Sequence, residues 1–287
     1  MPRVGYRLLT GTTSPLGPAT ELPDHPRLAV LPFRVLARGA DQAYFADGLV
    51  DELITTLSRF RSFAVVARTV SLANSGVDAC QAASEPGGRY VLEDSVQRAG
   101  DRLRLTAHLV DSDSAAPLWA GRFEGSVKDI FDVQDRITES VAMLVEPRIQ
   151  RAEIERARRE RPGSFTVYDI YLRALAEIFS ETEPGNLAAI ALLEKGLALE
   201  PDNALLLTSA AWALEHRLTM GWPPLGPDDR QRCAALARRG LERGESDAVV
   251  MAQCGLSLLQ GAQDYDLGMA AILSAVEANP NHLLIVA

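Results

Sequence analysis

Two short stretches constrain this chain more than anything else in it: Ala198-Leu-Glu-Pro-Asp-Asn203 and Glu277-Ala-Asn-Pro-Asn281 are near copies. Each closes an Ala/Leu-rich segment with helical spacing, and their prolines, Pro201 and Pro280, stand 79 residues apart. That distance fits two repeats of roughly 34 residues plus an insertion, which TMGWPPLGP (219–227) supplies. From residue 167 onward the text is all helix and falls into pairs: YDIYLRALAEIFSE with NLAAIALLEKGLALEPDN, LLLTSAAWALEHRL with DDRQRCAALARRGLERGESD, and VVMAQCGLSLLQG with YDLGMAAILSAVEANPN. Small residues suit close helix approach, and Pro201 and Pro280 stop the second helix of the first and third pairs. A single pair cannot bury its apolar face, so such units stack.

Residues 27–147 read differently. LAVLPF (28–33) is a continuous apolar run, as in a buried strand ending near Pro32. Phe45, Leu49, Val50, Leu53, Ile54, Leu57 and Phe60 then recur with a 3.6-residue period, which predicts a helix. FAVVARTV (63–70) returns to strand text, and SLANSGVDACQAASEPGG reads as a loop with at most a short helix, stopped at Pro86-Gly87-Gly88. Alternation with turn signals predicts an antiparallel meander over 89–98, 102–111 and 118–124. A helix follows with Ile130, Val133, Ile137, Val141, Leu144 and Val145 on one face, Ser126 as its N-cap and Asp129 near its start.

Residues 148–162 carry six arginines against three glutamates. The spacing suits a solvated connecting helix laced with i,i+3 and i,i+4 ion pairs rather than a nucleic-acid helix, which needs aromatic or base-reading partners.

Little in the chain points to a reaction. No phosphate-binding glycine loop occurs, and the four histidines (His25, His108, His216, His282) lack metal spacing and a nearby nucleophile motif. Asp111-Ser-Asp-Ser114 lacks the further oxygens of a calcium loop and reads as a hairpin turn. Asp47, Asp51 and Glu52 are expected on a solvent face near a helix N-terminus rather than as paired catalytic acids. Trp119, Trp212 and Trp222 are expected to pack. Cys80, Cys233 and Cys254 are odd in number, far apart and without C-x-x-C spacing, as expected of reduced thiols. A net charge of -9 argues against a chain-wide nucleic-acid surface. No apolar run reaches the roughly 18 residues of a membrane helix, so a cytoplasmic location and no membrane partner are expected. No catalytic, cofactor-binding or metal-ligating residue is assigned, and no cofactor is expected.

The paired helices are similar to tetratricopeptide repeats, about three of them, which implies a concave surface for a protein or peptide. Nothing matches the Lys/Asn clamp of the chaperone-binding subset, so the groove residues stay unassigned. The series LAVLPF…YFADGLVDELITTLSRF…RYVLEDSVQRAGDRLRLTAHLVD…LWAGRFEG…DIFDVQDRI resembles the TolB amino-terminal-like domain from about Arg27 to Ile137. That resemblance implies a non-catalytic sensory or interaction module, found in bacterial regulators and in proteins designated adenylate cyclases. Asp94 departs from the family's Gly after the YVLE strand, and Pro86 shortens the helix before Arg89. Arg3-Val-Gly-Tyr-Arg-Leu8 resembles the last wing strand of a winged helix-turn-helix domain. It implies DNA contact only through a domain upstream of this chain, encoded in frame before Met1.

The expected organisation is therefore a wing-strand remnant (1–11), a linker (12–26), an α/β domain with a mixed sheet (27–147), a basic connecting helix (148–166) and an all-α tetratricopeptide-repeat solenoid (167–287) cut off at its C-terminus. The expected function is a non-enzymatic regulatory and interaction segment of a bacterial signalling or transcription regulator. The alternative is the non-catalytic C-terminal region of a class III-type adenylate cyclase. The oligomeric state is left open.

Overall fold

The structure, a computed structural model, describes residues 26–35, 40–66, 88–126, 130–161, 166–244 and 247–280. The wing-strand and linker readings over 1–25, the end of the second predicted strand (67–70), the loop at 71–87 with Cys80, Asp129, and the terminal residues 281–287 lie outside them.

Among the described residues, the N-terminal part is a six-stranded mixed sheet with two helices packed against it. Strand β1 (Arg27–Val30) lies between β3 (Ala64–Val66) and β4 (Tyr90–Ala99), parallel to both. β2 (Arg34–Val35) pairs with β4 further along the same edge. β4, β5 (Arg102–Asp111) and β6 (Ala116–Ser126) form the predicted antiparallel meander. The β4–β5 hairpin closes tightly because Gly100 takes φ +61°, a conformation that glycine adopts without steric cost. The predicted DSDS hairpin turn is present, and Asp111 Oδ1 accepts from the backbone N–H of Asp113 and Ser114 at 3.0 and 3.1 Å.

Alternation decides which face is covered. Leu103, Leu105, Ala107 and Leu109 of β5 point inward and are buried, while Arg102, Arg104 and His108 are exposed. Helix α1 (Ala40–Leu57) buries Leu49, Val50, Leu53 and Leu57 in the same core.

Helix α2 (Ile130–Glu160) is where the structure departs from expectation. The apolar helix and the basic connecting helix are one element of 31 residues, ~46 Å long. It runs through Pro147, which lacks the N–H for one intrahelical bond yet does not end the helix. Its basic half is packed rather than solvated, with Ile149, Glu153, Ile154, Arg156 and Ala157 buried. One pair of the expected i,i+4 ladder is present, Arg156 with Glu160 at 3.9 Å, and the buried Glu153 and Arg156 also have longer-range partners. Ser126, expected to cap this helix, ends β6 instead.

The helical pairs follow as read: α3 (Val167–Ile178) with α4 (Glu183–Leu199), α5 (Ala204–Thr219) with α6 (Asp229–Arg243), and α7 (Ala248–Leu256) with α8 (Tyr265–Ala278). Side-chain caps start five of these six helices: Thr166, Thr182, Asn203, Asp247 and Asp264 each accept from a backbone N–H of the first turn. The crossings are tight where glycine permits it. A Cβ on Gly240 would sit 2.7 Å from Cys254 Sγ, joining α6 to α7, and one on Gly255 would sit 2.8 Å from the Gly268 carbonyl of α8. A π-helical turn over Ser257–Ala262 extends α7. The described chain is thus a mixed α/β part followed by helices.

Candidate functional site

The second half of α2 lies across the start of the helical pairs and leaves a cleft between them. On α2 the lining residues are Glu146, Ile149, Gln150 and Glu153, spaced i, i+3, i+4 and i+7, so one helical face forms the floor. On α3, Tyr168, Tyr171 and Leu172 form a wall with similar spacing. Pro26, Arg61 and Ser62 approach from the sheet side, and the N-terminal ends of α5 and α7, with Arg243 and Gly244 at the end of α6, close the other. The cavity measures about 310 Å³, within the range of small-ligand pockets. A second cavity of about 200 Å³ shares Glu146, Gln150, Tyr171, Leu205 and Val249 with it, so the two form one groove.

The groove changes character along its length. At the far end the ring of Phe179 meets Trp212 edge-on, with centroids 5.7 Å apart, and Phe179 is 51% exposed. Trp212 Nε1 donates to His216 Nε2 at 2.9 Å, which requires that nitrogen to be unprotonated. Burial lowers the His216 pKa, consistent with a neutral ring. Nearer the sheet, the groove becomes acidic. Glu146 is buried among apolar neighbours, and that burial, aided by the charge of Asp247, pushes its carboxyl up to about 7. Ser62 beside it pulls the other way, although its hydroxyl makes no hydrogen bond of good geometry. Asp247 is fixed as the N-cap of α7, accepting from the N–H groups of Val249 and Val250 at 2.9 and 3.3 Å. Burial, with the charges of Glu146 and Asp247, keeps the Tyr171 phenol protonated far above its ordinary range.

A polar lattice below the groove holds its two sides together. Glu153, with 1% of its side chain exposed, accepts from Arg89 Nη1 at 2.8 Å and from Tyr90 Oη at 2.7 Å. One turn on, Arg156 reaches both Asp111, at 2.8 Å, and Asp113 in the β5–β6 turn. Burial works against the Arg156 charge, but these carboxylates outweigh it and raise its pKa. Arg158 and Arg161 reach across to α3, 3.7 Å from Glu177 and 3.3 Å from Asp169. Helix α2 is thereby joined to the sheet end on one side and to α3 on the other.

The residues tested in the sequence for chemistry do not converge. Asp47, Asp51 and Glu52 lie exposed on α1, and His108 is exposed on β5. Cys233 and Cys254 are buried, free, and pushed up by burial to about 12 and about 11, the state of inert thiols. His25, His282 and Cys80 lie outside the described residues. Among the described residues, no group of three or more His, Cys, Asp or Glu could hold a metal ion. Likewise, no described helix is long and apolar enough to cross a membrane. Sequence reading missed Glu146, Tyr171 and Asp247. The one available signal is Glu146 itself, a carboxylate set between the buried positions Ala142, Val145 and Ile149.

A Rhizobium meliloti (strain 1021) protein named "Putative adenylate cyclase 3" is 31% identical over 232 residues, covering 80% of this chain and 40% of its own length. This chain therefore spans two fifths of that relative. Among solved structures, TolB from Acinetobacter baumannii aligns at 16% identity over 42% of this chain and 29% of its own, with a TM-score of 0.31. Lipoprotein GNA1162 from Neisseria meningitidis aligns at 18% identity over 35% of this chain and 79% of its own, with a TM-score of 0.30. Residues 24–140, the sheet with α1 and the first third of α2, match the family described as HilA/YgeH-like transcriptional regulator, second domain.

Proposed function

We propose that this chain is a non-catalytic regulatory and protein-interaction segment of a bacterial regulator, and that it receives a protein or peptide segment in the groove between α2 and the helical pairs. The observation that carries this reading is the groove itself: continuous and aromatic at its Phe179 end, it is built jointly by the sheet-bearing part and the helices. An occupant there touches both parts at once, so its binding free energy can favour one relative arrangement of them. The match of residues 24–140 to a regulator domain supports the regulatory setting. We further propose that the helices work as tetratricopeptide repeats, whose inner helices α3, α5 and α7 all contribute to the groove.

The direct test uses the 287-residue chain as bait in a lysate of the encoding bacterium, beside a Phe179→Asp variant that places a charge in the groove mouth. A partner held by the natural chain and lost by the variant is expected. Identical retention by both would overturn the groove as the binding surface.

A second reading, the non-catalytic C-terminal region of an adenylate cyclase, is favoured by the 31%-identical relative. The coding frame upstream of Met1 separates the two: a basic three-helix domain supports the transcription regulator, and a cyclase catalytic domain supports the other. Under either reading the isolated chain forms no cyclic AMP from ATP, and turnover above a heat-denatured control would sink the non-catalytic assignment.

A further inference from the structure

The groove is chemically uneven in a way that specifies what its occupant carries. Glu146, 7% exposed, and Asp247 both line the larger cavity, and the charge of one raises the cost of charging the other. The third carboxylate of that wall, Glu153, is held by the Arg89 cation and Tyr90, whereas Asp247 uses Oδ1 to cap α7. The arginines on the wall, Arg61 and Arg243, are exposed at its rim, and Arg243 is held by Asp202 at 3.1 Å. The rings of Tyr168 and Tyr171, 6.2 Å apart, stand beside the carboxylates, and the buried Ser62 hydroxyl lacks a hydrogen-bond partner there. Carboxylates at the end of an aromatic passage are the surroundings in which a cation on an apolar stem is bound best, through charge-assisted hydrogen bonds and the ring faces together.

Resting on the reading of the groove as a peptide site, we infer that it selects a basic segment: an Arg or Lys side chain of the bound peptide enters between Glu146 and Asp247, while neighbouring apolar residues lie on Phe179 and Trp212. Charge complementarity decides for a basic occupant over an acidic one, which would add a third negative charge to a low-dielectric site.

Fluorescein-labelled 12-residue peptides test this by anisotropy at 0.3 M salt. One set intersperses Leu, Phe and Arg with Ser and Gly; a second replaces Arg by citrulline, its neutral isostere; a third replaces it by Glu. The natural chain binds the Arg set ~10-fold more tightly than the citrulline set, as loss of one charge-assisted contact implies, and the Glu set most weakly. Glu146→Gln, which keeps side-chain shape and the native circular-dichroism spectrum, abolishes that preference while still binding citrulline peptides. Glu124→Gln, the same charge change on the outer strand β6, keeps the preference. Phe179→Ser weakens all three sets alike.

Equal affinity for Arg and citrulline peptides in the natural chain would overturn the proposal and leave the groove reading standing. Equal loss of preference in Glu146→Gln and Glu124→Gln would overturn it in favour of bulk charge attraction. Failure of every set to bind the natural chain would overturn the groove reading and this proposal together.

Discussion

The two halves of α2 are held by opposite kinds of interaction. Toward its N-terminus, Val133, Ile137, Val141 and Val145 bury apolar surface against the sheet and α1. Toward its C-terminus, Glu153 is as deeply buried as the valines and Arg156 is buried at 8% exposure, and their partners are Arg89, Tyr90, Asp111 and Asp113. The apolar half tolerates any side chain of suitable volume, because hydrophobic contact has no direction. The polar half does not, because each buried charge needs its particular partner at hydrogen-bond distance. Cohesion therefore comes from one half, and the setting of the helices against the sheet end comes from the other.

Breaking the polar half is expected to have the largest effect. Glu153→Ala leaves Arg89 and Tyr90 facing an empty site and costs about 3–5 kcal/mol, read as a fall in the urea midpoint with an unchanged slope. Val141→Ala in the apolar half costs about 2 kcal/mol by the same measurement, because it only opens a cavity. If the two variants were reversed in order, the contrast between the halves would fail.

Glu146→Gln changes stability in the favourable direction. The carboxyl titrates in the fold near 7, above its ordinary 4.5, so the fold prefers the protonated form. The stability associated with that proton is fully present below about 4.5 and is lost as pH rises through 7. The Gln variant should therefore match the natural chain at pH 4.5 and exceed it at pH 8 by up to about 3 kcal/mol. Asp111 behaves in the opposite sense. Burial opposes its charge, but the N–H groups of Ser114 and Asp113 and the Arg156 guanidinium win, and its pKa is lowered. Its contribution is present above the ordinary aspartate range and is lost as pH falls through its lowered pKa in the fold. Melts across pH 2–8 would thus show one half weakening in strong acid while the groove tightens.

Smaller effects lie among the helical pairs. Gly240→Ala forces a methyl against Cys254 Sγ and Thr208 and costs about 1–3 kcal/mol. Asn203→Ala removes the cap of α5 and costs about 1 kcal/mol in the thermal midpoint.

These contrasts also explain what was legible in the sequence. The meander was readable because β5 alternates strictly and its turns carry Gly100 and Asp111, which report local geometry through local chemistry. The helical pairs were readable from their Ala/Leu spacing and the closures at Pro201 and Pro280 for the same reason. The basic half of α2 misled, since an arginine-rich helix looks solvated until its partners arrive from Arg89 and Asp111, more than 40 residues away. The groove was invisible because Glu146 and Asp247 meet only through tertiary packing, and Asp247 alone reads as an ordinary helix cap.

Helix α2 has one further consequence. Its first half completes the core under the sheet, and Ile154 and Ala157 of its second half complete the one formed with Leu172 and Leu175. A proline sits between the two, but no loop. Neither core can be taken apart without stripping one face of a rod on which the other depends. Heat or denaturant should therefore meet a single cooperative unit where the sequence pattern suggests two domains, and the first protease cuts should fall in the outermost helices, far from the junction.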